Sequence, residues 1–187
     1  MQPIETSRLI IRDYTLSDLD AAHRLQVECF GADADSLDVT RDWLAWSVAS
    51  YRNLARLYQP PYGDYLVALK DTGEAVGSVG LVSQGVPWRT LPAFQGDAPR
   101  DGLVQPEYGL FWGIYPAYQQ RGYAAEAAKA MIDFVFHGLH ARRVVASTDR
   151  ANIASQAVMK KVGMMVYHNP TNEPFWFEVV GVLENGG

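Results

Sequence analysis

The chain has 187 residues, 48% of them hydrophobic, and a formal net charge of −5. That length suits one substantial core, so a single domain over residues 1–187 is expected. The negative balance excludes the broad basic surface that nucleic acid phosphates require, and no stretch reaches the roughly 18 apolar residues that span a membrane.

The first residues, "MQPIETSRLIIRDYT", lack the basic start, apolar run and small-residue cleavage site of a secretory signal. A single cysteine, Cys29, fits a reducing compartment, and the cytoplasm is the expected location. "RLIIRDY" (Arg8 to Tyr14) reads as a strand, and "TLSDLDAAHRL" offers Thr15 or Ser17 as the cap of a helix. A second helix is expected from about Thr40, with Trp43, Ser47, Ser50, Leu54 and Leu57 on one face.

Two apolar runs, Tyr65 to Lys70 and Ala75 to Val82, are joined by Asp71, Thr72 and Gly73, which predicts an antiparallel hairpin. Ser83 to Pro106 shows no sustained period and reads as a long loop bordering a substrate site. Glu107 to Tyr115 reads as a central strand ended by Pro116, and Arg121 to His137 as a helix with Ala124, Ala128, Met131, Val135 and Leu139 close to one face. "RRVVAST" predicts another strand, Asn152 to Val162 a helix closed by Gly163, and "MVYH" and "PFWFEVVGVL" two final strands. The order predicts a mixed α/β layer architecture, one sheet flanked by helices.

Between the central strand and the helix after it lies "AYQQRGYAAEA", Ala117 to Ala127. A strand, a short turn and a helix start form an anion site, because the first helical N–H groups lack an internal partner and the helix dipole favours negative charge. Gly122 would let the backbone approach a phosphate closely. The stretch has neither the three glycines of the dinucleotide fingerprint nor the G-x-x-x-x-G-K-S/T of a P-loop.

What remains, Q-x-x-G-x-A from Gln119 to Ala124, resembles the acetyl-CoA pyrophosphate loop of the GNAT acyltransferase superfamily, Q/R-x-x-G-x-G/A. "ETSRLIIRDYTLSDLDAAHRL" is similar to the opening strand and helix of the branch related to ribosomal-protein N-acetyltransferases, where T-x-R-L-x-L-R is typical. "YLVALKDTGEAVGSVGL", "RGYAAEAAKAMIDFVF" and "NIASQAVMKKVGM" resemble that branch's hairpin, coenzyme-binding helix and N-x-x-S helix, in the right order over roughly Glu5 to Val180. The resemblance implies the GNAT fold: a mixed, mostly antiparallel sheet of about six to seven strands with about four helices.

It also implies direct transfer of an acetyl group from acetyl-CoA to a primary amine of a small molecule, peptide or protein N-terminus. No metal is implied, and no nucleic acid or membrane is an expected partner. A homodimer is one expected assembly. The resemblance assigns the pyrophosphate to backbone N–H groups around Gln120, Arg121, Gly122, Tyr123, Ala124 and Ala125, with Gln119 as a fixed point of the same cradle. It assigns the thioester carbonyl to a backbone N–H near Ile114, and the pantetheine arm to Asn152 with Ser155.

A free alkyl amine has a pKa near 10 and must lose a proton to attack. The family's carboxylate on this strand points to Glu107, two residues before Gly109, where the branch pattern places it; a two-residue shift keeps the same face. The tyrosine that many members use to protonate the leaving thiolate is Met159 here, which has no proton to donate. Ser155, one turn earlier, is the expected substitute, with Tyr115 and Tyr118 as further candidates.

Plainer readings stand beside these. Gly122 is also a tight turn, Glu107 a solvated strand opener, Ser155 a small residue at a helix contact and Asn152 an ordinary N-cap. Trp43 and Trp46 read as packing residues, or with Trp88 and Phe94 as the lining of an acceptor cleft. Two further functional readings remain open: a coenzyme A-binding or regulatory module with little turnover, and a transferase using another acyl-CoA such as succinyl-CoA.

Overall fold

The computed structural model describes residues 1–31, 36–96, 104–171 and 173–186. Apolar alternation builds a sheet whose order is β1 (Ile4–Glu5), β2 (Leu9–Asp13), β3 (Gly63–Leu69), β4 (Ala75–Val86), β5 (Gln105–Ile114), β6 (Arg143–Thr148), β8 (Val179–Glu184) and β7 (Met165–His168). β2 pairs antiparallel with β1 and β3, β3 with β4, and β8 with β6 and β7. β5 and β6 run parallel, with Tyr108↔Val144 and Gly109↔Val145 in register.

Among the described residues, four α-helices complete the fold: α1 (Leu19–Phe30), α2 (Leu37–Arg56), α3 (Tyr123–Asp133) and α4 (Ile153–Lys161). The mixed α/β architecture of the GNAT fold is present with eight strands, slightly more than the six to seven expected, because two-residue β1 is too short to show a period.

Internal contacts gather in two compact units, Met1–Leu81 with Trp112–Met131, and Val82–Phe111 with Ile132–Gly187. In the first, α1 ends where Gly31 adopts φ +67°, a left-handed conformation that costs glycine nothing. α2 starts at Ser36, whose hydroxyl accepts the Val39 N–H at 3.4 Å. Its buried residues are Thr40, Leu44 and Ser47. The expected face was therefore rotated: Trp43 is only partly buried, edge-on to Tyr14 at 5.8 Å, and Trp46 is 63% exposed. Tyr14, Ala22, Leu44 and Leu66 form the core here.

Two glycines in this unit permit close backbone approach. A Cβ on Gly77 would lie 2.1 Å from the Gly113 carbonyl oxygen, and one on Gly113 would meet Cys29 at 3.1 Å and Phe30 at 3.2 Å. The Tyr115 N–H donates to Val76 O at 3.0 Å beside this contact.

In the second unit Val86, Trp88, Leu91, Val145, Phe177 and Val180 are core residues, each large side chain contributing roughly 1.5–3 kcal/mol by burial. The stretch read as one loop from Ser83 to Pro106 is corrected here. β4 continues to Val86, single 3-10 turns follow at Trp88–Thr90 and Pro92–Phe94, and β5 opens at Gln105. Residues 97–103 of that stretch lie outside the described residues. The last strand begins at Val179 and not at Pro174, because Phe177 turns into the core, its N–H donating to Pro174 O at 2.9 Å.

Candidate active site

The turn between β5 and α3 has the backbone geometry of an anion cradle. Pro116–Tyr118 forms a 3-10 turn, Gln119 returns to extended backbone, and Gln120 (φ +59°) and Gly122 (φ +83°) are left-handed. The Gly122 carbonyl accepts the Glu126 N–H at 3.0 Å as the first bond of α3. The N–H groups of Tyr123, Ala124 and Ala125 thus stand at the helix's positive end without an acceptor inside the helix. Gln119 fixes the turn from below: its Nε2 donates to Ile114 O at 2.9 Å.

Sequence reading missed what braces this turn. Glu126, in the first turn of α3, accepts hydrogen bonds from Thr6 Oγ1 (2.6 Å), Ser7 Oγ (3.0 Å), Arg8 N (3.0 Å) and Arg8 Nε (2.7 Å). Arg8 also donates to Arg121 O at 3.0 Å and lies 4.6 Å from the Tyr123 ring centre. Burial alone would raise Glu126, but these bonds outweigh it and hold the carboxyl below its usual value. The threonine and arginine of "ETSRL" were visible in sequence as a pattern; their partner was not.

Glu107 lies in a different environment. Its Oε1 accepts from Trp88 Nε1 and Arg143 Nη1, both at 3.2 Å. Arg143 is buried, donates from Nε to Glu184 at 2.6 Å, and lies 4.4 Å from the Trp88 ring centre. Burial pushes the Glu107 carboxyl up and Arg143 pulls it back, leaving it raised. Trp88 and half-buried Phe94 belong to this packing, and Trp88, 2% exposed, does not line an open cleft.

Two residues along β5 from Glu107, a Cβ on Gly109 would meet Gln84 at 2.7 Å and Val82 at 2.8 Å. The Gln84 side chain crosses there and its Nε2 donates to Ser147 Oγ on β6 at 3.0 Å. A cavity of about 540 Å³ opens beside this bridge.

On α4, Asn152 Oδ1 accepts the Ser155 N–H at 3.0 Å, the N-cap bond expected of it. Ser155 is half-buried, and Met159 is buried against β8, where a Cβ on Gly181 would meet its Cγ at 3.0 Å. Methionine therefore fills a core position. The Tyr115 hydroxyl donates to Ala21 O at 2.8 Å, and burial pushes its pKa up to about 12. Tyr118 hydrogen bonds to Glu74.

The family model described as an acetyltransferase (GNAT) domain matches residues 8–165. The chain belongs to the GNAT acetyltransferase family. Uncharacterized N-acetyltransferase YnaD of Bacillus subtilis (strain 168) is 42% identical over 57 residues, 30% of this chain and 34% of YnaD, so that match spans about a third of the relative's length. A GNAT-family acetyltransferase from Bacillus anthracis has the same fold, with a TM-score of 0.70 at 18% identity over 100% of both chains. RimL, a ribosomal L7/L12 alpha-N-protein acetyltransferase solved in complex with coenzyme A, superposes at a TM-score of 0.67 with 15% identity, again over 100% of both chains.

Among the described residues of this GNAT chain, no helix is long and apolar enough to cross a membrane, and no group of three or more His, Cys, Asp or Glu side chains is arranged to hold a metal ion. The expected coenzyme residues divide by element: Ile114 to Ala125 on the β5–α3 turn, Asn152 and Ser155 at the start of α4. Gln84, Ser147 and Arg143 went unnoticed in the sequence. The signal for Gln84 was its alternation with Val82 and Val86, hidden because the strand was read as ending at Val82.

Proposed function

We propose that this protein transfers an acetyl group from acetyl-CoA to the nitrogen of a primary amine. The observation that carries the reading is the β5–α3 turn, where left-handed Gln120 and Gly122 present consecutive backbone N–H groups at a helix N-terminus. Backbone N–H groups from Gln120 to Ala125 would hold the pyrophosphate, and Gln119, locked onto Ile114 O, sets the turn's shape. Ile114 N–H is the proposed donor to the thioester oxygen as charge develops there. Asn152 and Ser155 are the proposed contacts to the pantetheine arm, with the Ser155 hydroxyl a proton source for the departing thiolate.

Glu107, expected from sequence as the base, has a more constrained role in this proposal. One of its oxygens accepts from both a guanidinium and an indole, so its first task is to neutralise buried Arg143. Proton removal from the amine falls to water. The transfer itself forms the nitrogen–carbon bond as the carbon–sulfur bond breaks; the amine's proton goes to solvent and the thiolate takes one up.

A thiol-release assay with acetyl-CoA across a panel of amines tests the reading. Acceptor-dependent release is expected, with succinyl-CoA a poorer donor. Tight coenzyme binding with no release under any amine would instead favour the second reading, a binding module, which buried Met159 in the tyrosine position supports. Gly122→Val adds a side chain at φ +83° and should weaken coenzyme binding by about tenfold or more, equivalent to about 1.4 kcal/mol. An unchanged affinity in a folded variant would refute the cradle.

A further inference from the structure

None of the residues assigned above to the coenzyme lines the 540 Å³ cavity of the second unit. Val82 and Gln84 on β4, Leu110 and Phe111 on β5, Ser147 on β6 and Trp176 before β8 line it. Trp176 is held edge-on to buried Phe177, with ring centres 5.4 Å apart, yet stays 37% exposed; Val82 stays 42% exposed. Apolar surface is thus left open at a concave site of ligand size. None of its described lining residues carries an ionisable side chain, so it offers no countercharge to a phosphate or to a second ammonium group.

Its polar end is specific. Gln84 reaches across Gly109, where any side chain would strike it, and donates through Nε2 to Ser147 Oγ. That bond uses an acceptor site of the hydroxyl and leaves its hydrogen, together with Gln84 Oε1, available to a ligand. Donor and acceptor side by side match a small polar group carried on an apolar body.

We propose that this cavity is the acyl-acceptor site and that it takes a monoamine with a neutral, apolar substituent, about the size of an amino acid amide. The inference rests on the acyl-transfer reading for its chemistry, though its recognition can be measured without turnover. Gln84 Oε1 accepts an amine N–H and Ser147 donates to a carbonyl or hydroxyl beside the amine. The apolar walls disfavour the ammonium form, so the ligand sheds its proton to water on entering. This selects against polyamines and against acidic peptides.

Calorimetric titration with leucinamide and with spermidine, each with coenzyme A absent and present, is the direct test. Leucinamide is expected to bind at least tenfold more tightly than spermidine in one or both conditions. Equal or preferential binding of spermidine, or no leucinamide binding in either, overturns the proposal. Gln84→Leu should weaken leucinamide binding by about five- to tenfold with coenzyme A affinity unchanged, Ser147→Ala by a similar factor, and Ser147→Thr should restore most of it. Phe111→Asp, placing a charge on the wall, should shift preference towards spermidine. If both Gln84→Leu and Ser147→Ala bind leucinamide as the parent does, the bridge does not recognise the acceptor. Acceptor-dependent thiol release with spermidine but not leucinamide would sink this inference and leave acyl transfer standing; no release with calorimetric selectivity intact would do the reverse.

Discussion

A carboxylate in an acetyltransferase invites a catalytic role, and Glu107 shows why its neighbours decide. With side chains only 8% and 15% exposed, Arg143 and Glu107 form a mostly buried pair, and losing Glu107 leaves Arg143 to Glu184 alone. Glu107→Ala is expected to destabilise the protein by about 2 kcal/mol, lowering the melting temperature by about 4–8 °C. The diagnostic variant is Glu107→Gln, which keeps shape and the indole bond. A structural carboxylate predicts an unshifted pH–rate profile and a lower melting temperature. Loss of the profile's acidic limb, with stability retained, would restore Glu107 as the base.

At the scale of elements, the close approach of two strands constrains more than either sequence suggests. Gly77→Ala would place a methyl 2.1 Å from the Gly113 carbonyl oxygen, a backbone atom that cannot swing aside. Overpacking of this kind costs about 1–3 kcal/mol, so a fall of about 2–12 °C in melting temperature is expected. A melt within a degree of the parent would show that the strands part freely. Element type was legible because period and turn chemistry are local: the β3–β4 hairpin needs only its alternation and Gly73. Boundaries were less so. β4 runs four residues past Val82 because Gln84 and Val86 find partners in the second unit, which no local pattern records. α2's rotated face has the same origin, since Leu44 is buried by Tyr14 and Leu66 and not by its own helix. The conformation of the β5–α3 turn was readable from sequence because its backbone demands Gly122; Gln84 with Ser147, 63 residues apart, demand nothing of each other locally.

Across the molecule, two half-buried acids set opposing pH dependences. Burial alone would raise Asp18, but hydrogen bonds from Arg12 and Thr15 hold it at about 2, below its ordinary 3.8. Its contribution is complete above pH 3.8 and is lost as pH falls towards 2. Solvent screening of the partly open pair limits it to about 1 kcal/mol. Asp64 on β3 runs the other way: burial lifts it from 3.8 to about 6, so the folded state holds a proton that the unfolded state has released. That contribution is complete below pH 3.8 and lost as pH rises through 6. Asp64→Asn should therefore stabilise the protein at about pH 7.5, on the order of 2 kcal/mol, and flatten the decline between about pH 4 and 7. Thermal melts across that range check it; a parallel decline in parent and variant would assign the slope to other groups.

Three of the five tryptophans sit at graded depths: Trp88 is 2% exposed beneath Arg143, Trp176 is 37% exposed on the cavity wall, and Trp46 is 63% exposed on α2. An aqueous quencher meets them in that reverse order, so the folded chain carries its own depth gauge. A ligand seated against Trp176 would darken or shield one indole while Trp88 keeps a steady signal from the core. The protein can report occupancy of its cavity in its own emission, without a label.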